Sequence, residues 1–541
     1  MANIELLDCT LRDGSYIVNG DFGANVIRGI LRKLDAARMD IIECGWLKDA
    51  PHKDGSAYFH VPEDVRSYLP EHRKSRSIYT VMIDWDRYDL DALPERTEGT
   101  VDAIRMVFPH GKHTEALALA EKISSKGYML FLQAANTLAY SNEELRALAG
   151  AVNLSGAVSL SIVDTFGAMY PEDLDRIFEV LDAELSSSIR LGFHSHNNQQ
   201  LSFALCMRFL QLGETGRRDL VVDASLCGMG RGAGNATTEL VANYLNRSYS
   251  GNYDLNEILD AIDLYLVRLK DAYEWGYSIP YFIAGIYCTH VNNIAYLRTH
   301  HKTLAKDMRI IIESIDPDTR KKYDYDNLER IYTEYQNRIV DDEKAMSELS
   351  EVFAGRKVLI LAPGMTLKTE ADKVHGYIAQ EKPLVVAVNF VPESYECDCY
   401  FFVNAARYQF AKDTSAAAMA KKLVVLTSNI REVTKGEKVI NFNLLAKLGW
   451  RFFDNSAIMA LRLLAKIGVT DISFAGFDGF PVESSEGFYA NRILQAELSQ
   501  ELKKRINDDV AAMLADFHAC DKGQTTINFI YHINTIVGNL K

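Results

Sequence analysis

Two histidines separated by one residue, His194 and His196, end a short apolar run in the segment IRLGFHSH. On an extended strand, residues two apart point to the same face and lie about 7 Å apart along the strand. Two imidazoles at that spacing, together with one carboxylate from a neighbouring strand end, form a divalent-metal site with open coordination positions. Asp13, in the segment TLRDG, is the natural carboxylate. A pair of structural core histidines is the alternative interpretation.

Two further segments carry residues suited to this site. Arg12 stands beside the proposed ligand and is most simply an oxyanion stabiliser. Glu43, in IIECGW, is suited to hold the Arg12 guanidinium in a bidentate pair, and a structural ion pair is the alternative. The run GMGRGAGN resembles a phosphate-binding turn but lacks a downstream acid for a ribose. We interpret it as a tight loop that brings Asn235 to the metal.

Eight short β-rich runs, separated by helix-like stretches, must position these residues. The runs cover 4–8, 41–46, 79–85, 103–108, 129–134, 158–164, 189–194 and 220–225. Eight strand–helix units predict a (β/α)8 barrel, in which catalytic residues lie at the carboxyl ends of the strands. A doubly wound sheet is the alternative, and the barrel is favoured because all eight runs look buried.

The chain changes character after the barrel. Residues 251–350 have helical patterns rich in tyrosine and charge, and from residue 351 onward apolar runs such as VLILAPG and LVVAVNF alternate with helices. The sequence therefore predicts an α/β protein of three parts: a TIM barrel at 1–250, a helical extension at 251–350 and a smaller Rossmann-like α/β domain at 351–541.

The composition excludes several function classes. The 541 residues carry a formal net charge of −14, which disfavours nucleic acid or an anionic membrane as a partner. No apolar run reaches the roughly 18 residues of a spanning helix, and the start of the chain lacks the pattern of a secretory signal. The eight cysteines are scattered and are predicted to be reduced thiols. These observations predict a soluble cytoplasmic protein.

Five ordered motifs carry a resemblance to a known family. LLDCTLRDG, IIECGW, LSIVDTFGAM, LGFHSHNN and DASLCGMGRGAGNATTE resemble the DRE-TIM metallolyases, and most of all the 4-hydroxy-2-oxovalerate aldolases. The resemblance covers about residues 1–300. It implies a divalent cation, Mn²⁺ or Mg²⁺, and a carbon–carbon lyase that acts through a metal-stabilised enolate of pyruvate or a related 2-oxo acid. An aldehyde is the implied second compound, and no covalent cofactor is needed.

The resemblance also implies a role for each matching residue. The implied metal ligands are Asp13, His194, His196 and Asn235. The implied catalytic groups are Arg12 at the enolate, Glu43 as its acidic partner, Thr165 at the substrate carboxylate, and Tyr281 from the post-barrel helices, with Tyr277 as its alternative.

One position departs from the family pattern. The aldolases carry a histidine general base three residues after the metal aspartate, and this chain has Tyr16 there. A phenol with a pKa near 10 is a poor base at neutral pH. Either another group, such as His52 or His110, moves the proton, or Tyr16 acts as an acid, or the acceptor differs. The loop from Trp46 to Lys53 is either a subsite for a phosphate or carboxylate of the second substrate or a solvated rim.

Two other functions remain open from the sequence. One is a Claisen-type acyltransferase that condenses acetyl-CoA with a 2-oxo acid, and the other is a non-catalytic barrel that serves as a scaffold. For the C-terminal domain, a nucleotide or nucleotide-sugar ligand is the hypothesis and a packing or oligomerisation module is the alternative. A homo-oligomer is expected.

Overall fold

The first half of the chain folds into a closed barrel of eight parallel strands. In the computed structural model, the described residues are 3–71, 76–214, 216, 218–301, 303–447, 449–450, 454–480 and 500–531. The barrel strands are β1 Ile4–Asp8, β2 Ile41–Leu47, β3 Ile78–Asp84, β4 Ala103–Phe108, β5 Met129–Ala134, β6 Ser159–Asp164, β7 Arg190–Ser195 and β8 Leu220–Ala224. The barrel closes because β1 pairs with both β2 and β8. The predicted (β/α)8 barrel is confirmed.

Helices follow the strands and cover the barrel. The helices of this half are Thr10–Asp13, Ser15–Val18, Ala24–Ala36, His113–Leu117, Ala120–Ser124, Asn142–Leu154, Pro171–Glu184, Ser202–Gly213 and Thr238–Ser248. Each longer helix buries one apolar stripe, as Ala24–Ala36 does with Ile27, Ile30, Leu31 and Leu34. A two-residue strand, Tyr58–Phe59, pairs in parallel with the end of β2.

Helices also make up most of the segment after the barrel. They are Leu255–Ala261, Val267–Ala272, Ile279–Ile286, Val291–His301, Ala305–Ser314, Tyr325–Gln336 and Glu343–Phe353, with a π-helical turn at Ile262–Leu266. Within the described part of the chain, no helix has the length and apolar character needed to cross a membrane.

The last part of the chain forms a second parallel sheet. Its strands are β9 Val358–Leu361, β10 Leu384–Val388, β11 Cys399–Phe402, β12 Leu423–Thr427, β13 Lys438–Ile440, β14 Asp471–Ala475 and β15 Thr526–Phe529, in the order β13-β12-β11-β10-β9-β14-β15. Its helices are Thr366–Thr369, Ala371–Glu381, Ala405–Met419, Phe442–Leu445, Ser456–Lys466 and Gln500–Asp521. The predicted smaller α/β domain is confirmed.

The chain divides into two compact units. One unit contains residues 1–299 and 305–323, and the other contains 300–304 and 324–541. The helices between 251 and 350 are thus divided between the two units. The three-part division with boundaries at 250 and 350 stays a prediction.

Candidate active site

The barrel brings Asp13, His194 and His196 together at the carboxyl ends of two strands. Asp13 ends the short helix Thr10–Asp13 that follows β1, and the two histidines lie at the end of β7. One ligand-type atom from each residue lies within 4.8 Å of the other two. Asp13 and His194 are buried, and His196 is nearly so. Two imidazoles and a carboxylate in this arrangement are a set that binds divalent cations.

Arg12 points its guanidinium into the same site. Its Nη1 donates to Asp13 Oδ1 at 2.8 Å and its Nε donates to Glu43 Oε2 at 2.7 Å. The predicted bidentate pair with Glu43 is therefore wrong in its geometry, because the guanidinium divides its donors between two carboxylates. The third nitrogen, Nη2, has no hydrogen-bond partner among the described residues.

A second buried arginine connects the carboxylate that contacts Arg12 with the carboxylate that contacts His194. Arg105, on β4, places Nη1 2.8 Å from Glu43 Oε2, and its Nη2 donates to Asp223 on β8. Asp223 Oδ2 in turn lies 3.0 Å from His194 Nδ1. Because the carboxylate holds the proton on Nδ1, the Nε2 atom of His194 is the nitrogen left to bind a metal.

The electrostatic field of this cluster sets the charge of its members. Burial opposes ionisation of Asp13, but Arg12 and the two histidines outweigh it and hold the pKa of this carboxyl well below its usual range. Burial, together with the nearby His194, Arg12 and Arg231, lowers the pKa of His196 to about 4 against the opposing effect of Asp13. At neutral pH the site therefore presents an ionised carboxylate and a neutral His196.

The Gly-rich loop brings Asn235 against Asp13, and the role of Asn235 at a metal stays a prediction. Asn235 Nδ2 donates to Asp13 Oδ2 at 2.6 Å. A Cβ at Gly230 would collide with both of these side chains, so the loop approaches this closely only because residue 230 has no side chain. Gly234 adopts a φ of +83°. The loop is accordingly a tight turn that supports Asn235.

The donor set fits a divalent cation. Asn235 Oδ1 is buried and has no hydrogen-bond partner among the described residues, so it adds an oxygen to the two imidazoles and the carboxylate. Apart from the imidazoles, the buried cluster contains three carboxylates (Asp13, Glu43, Asp223) and two guanidinium groups, which sum to one net negative charge. A buried charge of that sign favours a bound cation.

A cavity of about 320 Å³ opens onto these residues. Its lining includes Arg12, Asp13, both histidines, Tyr16, Thr165, Gln133 and Arg231. Thr165 Oγ1 accepts a hydrogen bond from the backbone N–H of Asn136 at 2.7 Å. Burial raises the pKa of Tyr16 to about 12, although Arg231 and Arg12 oppose the shift, so its phenol holds its proton at neutral pH.

The structure does not bring every predicted residue to this cavity. Tyr281 and Tyr277 are absent from its described lining, although both lie on or next to the helix Ile279–Ile286. His52 uses both ring nitrogens, towards Tyr58 O at 2.8 Å and Tyr68 Oη at 3.0 Å. His110 contacts Glu144 at 3.2 Å. Neither histidine lines the cavity.

Three site residues were missed by the sequence reasoning, namely Arg105, Gln133 and Arg231. The first two interrupt otherwise apolar strands in AIRMVF and MLFLQA, and a charged or amide side chain inside a buried strand requires a polar partner. Arg105 Nη2 donates to Gln133 Oε1 at 3.0 Å. The need for a polar partner inside a buried strand is the sequence signal that could have identified Arg105 and Gln133.

The C-terminal sheet has a cavity of its own, of about 190 Å³. It lies where β9 and β14 end, and Gly364, Arg407, Ser456 and Asp478 are among its lining residues. The order of the strands reverses between β9 and β14, and crevices at such a point are common ligand sites in open α/β sheets. The nucleotide or nucleotide-sugar hypothesis stays a prediction.

Comparison with known proteins agrees with this site. A profile of the HMGL-like family matches residues 3–264. This part of the chain is an HMGL-like domain. The HMGL-like match contains all of Arg12, Asp13, His194, His196 and Asn235.

Curated relatives and solved structures overlap the same region. An oxaloacetate decarboxylase from Mycobacterium tuberculosis is 29% identical over 266 residues, which cover 47% of this chain and 74% of that protein. A 4-hydroxy-2-oxovalerate aldolase from Chloroflexus aurantiacus is 29% identical over 305 residues, with coverages of 52% and 82%. The N-terminal domain of a Bacteroides vulgatus protein, named as a candidate aldolase, is 26% identical with a TM-score of 0.49 over 56% of this chain and 99% of that chain. The two curated relatives, an aldolase and a decarboxylase, therefore overlap the HMGL-like domain.

Proposed function

We propose that this protein is a divalent-metal-dependent carbon–carbon lyase of the aldolase type that acts on pyruvate or a related 2-oxo acid. One observation carries the proposal: Asp13, His194 and His196 converge within 4.8 Å beside Arg12 in one cavity. The names of two relatives agree, because 4-hydroxy-2-oxovalerate and oxaloacetate are both 2-oxo acids.

Asp13, His194, His196 and Asn235 are the residues that would hold the cation, Mn²⁺ or Mg²⁺. A divalent cation bound there supplies Lewis-acid polarisation of the carbonyl group at C2. The chain contributes the orientation of these ligands, since Asp223 fixes His194 and Arg12 fixes Asp13.

In the condensing direction, C3 of the 2-oxo acid loses a proton to water, and the resulting enolate forms the C3–C4 bond with the aldehyde carbon. The aldehyde carbonyl becomes an alkoxide, which takes a proton from a general acid. Cleavage reverses these steps: the 4-hydroxyl group returns its proton to that group, the C3–C4 bond breaks, the aldehyde leaves, and the enolate takes a proton from water at C3. Arg12 Nη2 is the donor we assign to the enolate oxygen, because Nε and Nη1 are already bonded to Glu43 and Asp13. Thr165 lines the cavity and is assigned to the substrate carboxylate.

Tyr16 is assigned the role of an acid. Its phenol keeps its proton at neutral pH because burial raises its pKa to about 12. In the condensing direction it donates that proton to the alkoxide formed when the enolate adds to the aldehyde. Tyr281 and Tyr277 have no role in this scheme, because they are absent from the described lining of the cavity.

Proton exchange tests the proposal without knowledge of the second substrate. Metal-loaded protein is incubated with pyruvate in D2O, and loss of the methyl proton signal is followed by NMR. Metal-free protein and the His196→Ala variant are the matched controls, and acetyl-CoA is run in parallel. Metal-dependent exchange of pyruvate alone supports the aldolase, whereas exchange of acetyl-CoA alone would favour the Claisen-type acyltransferase. No exchange with metal bound would refute pyruvate as the enolate half.

A further inference from the structure

Arg231 lies in the Gly-rich loop after β8 and lines the same cavity as the metal-site residues. Its guanidinium carbon is 3.7 Å from the centre of the Tyr16 ring, so the cation lies over the aromatic face. Its Nη1 lies 3.3 Å from His290 Nε2. Two side chains that carry no negative charge therefore hold this guanidinium in place.

His290 is neutral beside Arg231. Burial and the charge of Arg231 together lower the pKa of His290 to about 4. Its Nδ1 accepts a hydrogen bond from the Asn292 backbone N–H at 3.1 Å, and its Nε2 faces Arg231 Nη1. The contact packs against the guanidinium and adds no negative charge beside it.

The other arginines of the cavity are paired with carboxylates. Arg12 contacts both Asp13 and Glu43, and Arg87 Nε lies 3.7 Å from Asp84 Oδ2. Arg231 forms no ion pair with any carboxylate in the described part of the chain. It is also a half-buried side chain, in surroundings where charges are screened less than in bulk water.

A second cation adds to the positive potential near Arg231. Lys48 Nζ lies 4.5 Å from the Trp46 ring centre and 5.4 Å from that of Tyr58. Burial lowers the pKa of Lys48; Asp84 raises it, and the charges of Arg87 and Arg231 lower it. Lys48 belongs to the loop for which the sequence left open a phosphate or carboxylate subsite.

We propose that Arg231 binds a carboxylate or phosphate group of the second substrate, so that the carbonyl compound which meets the enolate is an anion. This inference rests on the proposed function for its enolate half. A planar guanidinium offers paired donors that match the oxygens of either group. Arg12 serves the 2-oxo acid, and Arg231 serves its reaction partner.

The proposal also gives a physical reason for a tyrosine at position 16. A histidine there would place a group that can take up a proton against the guanidinium. The Tyr16 ring instead supports the cation through its face. Tyr16 is thus a positioning residue for Arg231 in addition to its assigned role as an acid.

Matched pairs of aldehydes test the charge preference. Pyruvate is condensed with 4-oxobutanoate and with butanal, which share a four-carbon chain, and with glycolaldehyde phosphate and glycolaldehyde. For the unmodified protein, kcat/KM for the anionic member should be at least about tenfold higher in one pair, which identifies the anion. In Arg231→Met the preference should fall to near one, mainly through KM, and Arg231→Lys should restore part of it.

Arg87→Met is the matched control, because Arg87 lines the same cavity but pairs with Asp84. It should keep the preference of the unmodified protein. Tyr16→Phe retains the ring and should also keep the preference, whatever its effect on the rate, whereas Tyr16→Leu should reduce it. Equal rates for both members of each pair in the unmodified protein, or a preference that survives Arg231→Met, would overturn the proposal.

A binding measurement separates this proposal from the proposed function. Succinate and inorganic phosphate are titrated by calorimetry into metal-loaded protein that contains excess pyruvate. At least about tenfold weaker binding of one anion in Arg231→Met, but not in Arg87→Met, supports the subsite even if pyruvate exchange fails. Equal affinities in all three proteins refute the subsite even if pyruvate exchange succeeds.

Discussion

Replacement of Arg105 by methionine should disturb the positions of both Arg12 and His194 in the candidate active site. Arg105 is 1% exposed and is the cation between Glu43 and Asp223, both of which are also buried. Its removal leaves these two carboxylates without the guanidinium that separates them. Glu43 contacts Arg12, and Asp223 contacts His194, so the proposed enolate-binding group and a proposed metal ligand both lose support.

The size of the effect follows from the burial of the cluster. Removal of one partner from a buried ion pair costs about 3–5 kcal/mol, because the other charge is left uncompensated. Methionine fills much of the volume of the arginine stem, so a cavity adds little to that figure. Loss of a group that orients a metal-binding histidine typically weakens metal affinity by about 10–100-fold.

Chemical denaturation and metal titration of the purified variant measure these two effects. Arg218→Met is the matched control: Arg218 is also buried, pairs with Asp182 at 2.6 Å, and donates to backbone carbonyls away from the site. It should lose stability but keep its metal affinity. The double variant Arg105→Met/Asp223→Asn should be more stable than Arg105→Met alone, because one of the stranded charges is removed.

Two results would refute this reasoning. A loss below about 1 kcal/mol in Arg105→Met would show that the two carboxylates are not held apart by this cation. Unchanged metal affinity, in a variant that is folded, would show that the chain of contacts from Arg105 through Asp223 does not orient His194.

Three further predictions concern the ligands, the oxyanion donor and a buried acid. His196→Ala should lose bound Mn²⁺ or Mg²⁺ in elemental analysis, and full retention of the metal would remove it from the ligand set. Arg12→Lys should still bind the metal and fold but lose most pyruvate exchange, because the ammonium group of lysine cannot bond Asp13, Glu43 and the substrate together. Unchanged exchange would exclude Arg12 from the mechanism. Burial raises the pKa of Asp8 from 3.8 to about 6, so ionisation costs the folded state on the order of 3 kcal/mol. Relative to Asp8→Asn, the unmodified protein should therefore lose stability as pH rises from about 4 to 7 in denaturation curves, and a constant difference would contradict the shift.

The barrel was predictable because buried parallel strands are continuous apolar runs separated by amphipathic helices. The eight predicted runs match β1–β8 to within about one residue at each end. Two strands of the second sheet, β13 and β15, were not predicted. β13 has three residues, and β15 alternates between exposed and partly buried positions, so neither has the apolar run that marks an interior strand.

The positions of the proposed metal ligands followed from topology, whereas the contacts across the barrel did not. Residues at the carboxyl ends of barrel strands must face one another, which is why Asp13 and His194 could be paired from the sequence. Arg105 and Asp223 are 118 residues apart and lie on β4 and β8, strands that are not neighbours. Their contact depends on which side chains point inward and how far they reach, and a single sequence does not show that.

The distribution of charge connects the two proposals. From Asp13 through Arg12, Glu43 and Arg105 to Asp223, carboxylates and guanidinium groups alternate, and each cation lies between two acids. Burial of charge is tolerable in such a chain because the charge of each guanidinium is balanced by neighbouring carboxylates of the protein. Arg231, in the same cavity, does not follow this alternation of charge, because its described contacts are the face of an aromatic ring and a neutral histidine. A cation that the protein leaves uncompensated at its reaction site is most simply compensated by the substrate, and that substrate must then carry a negative charge.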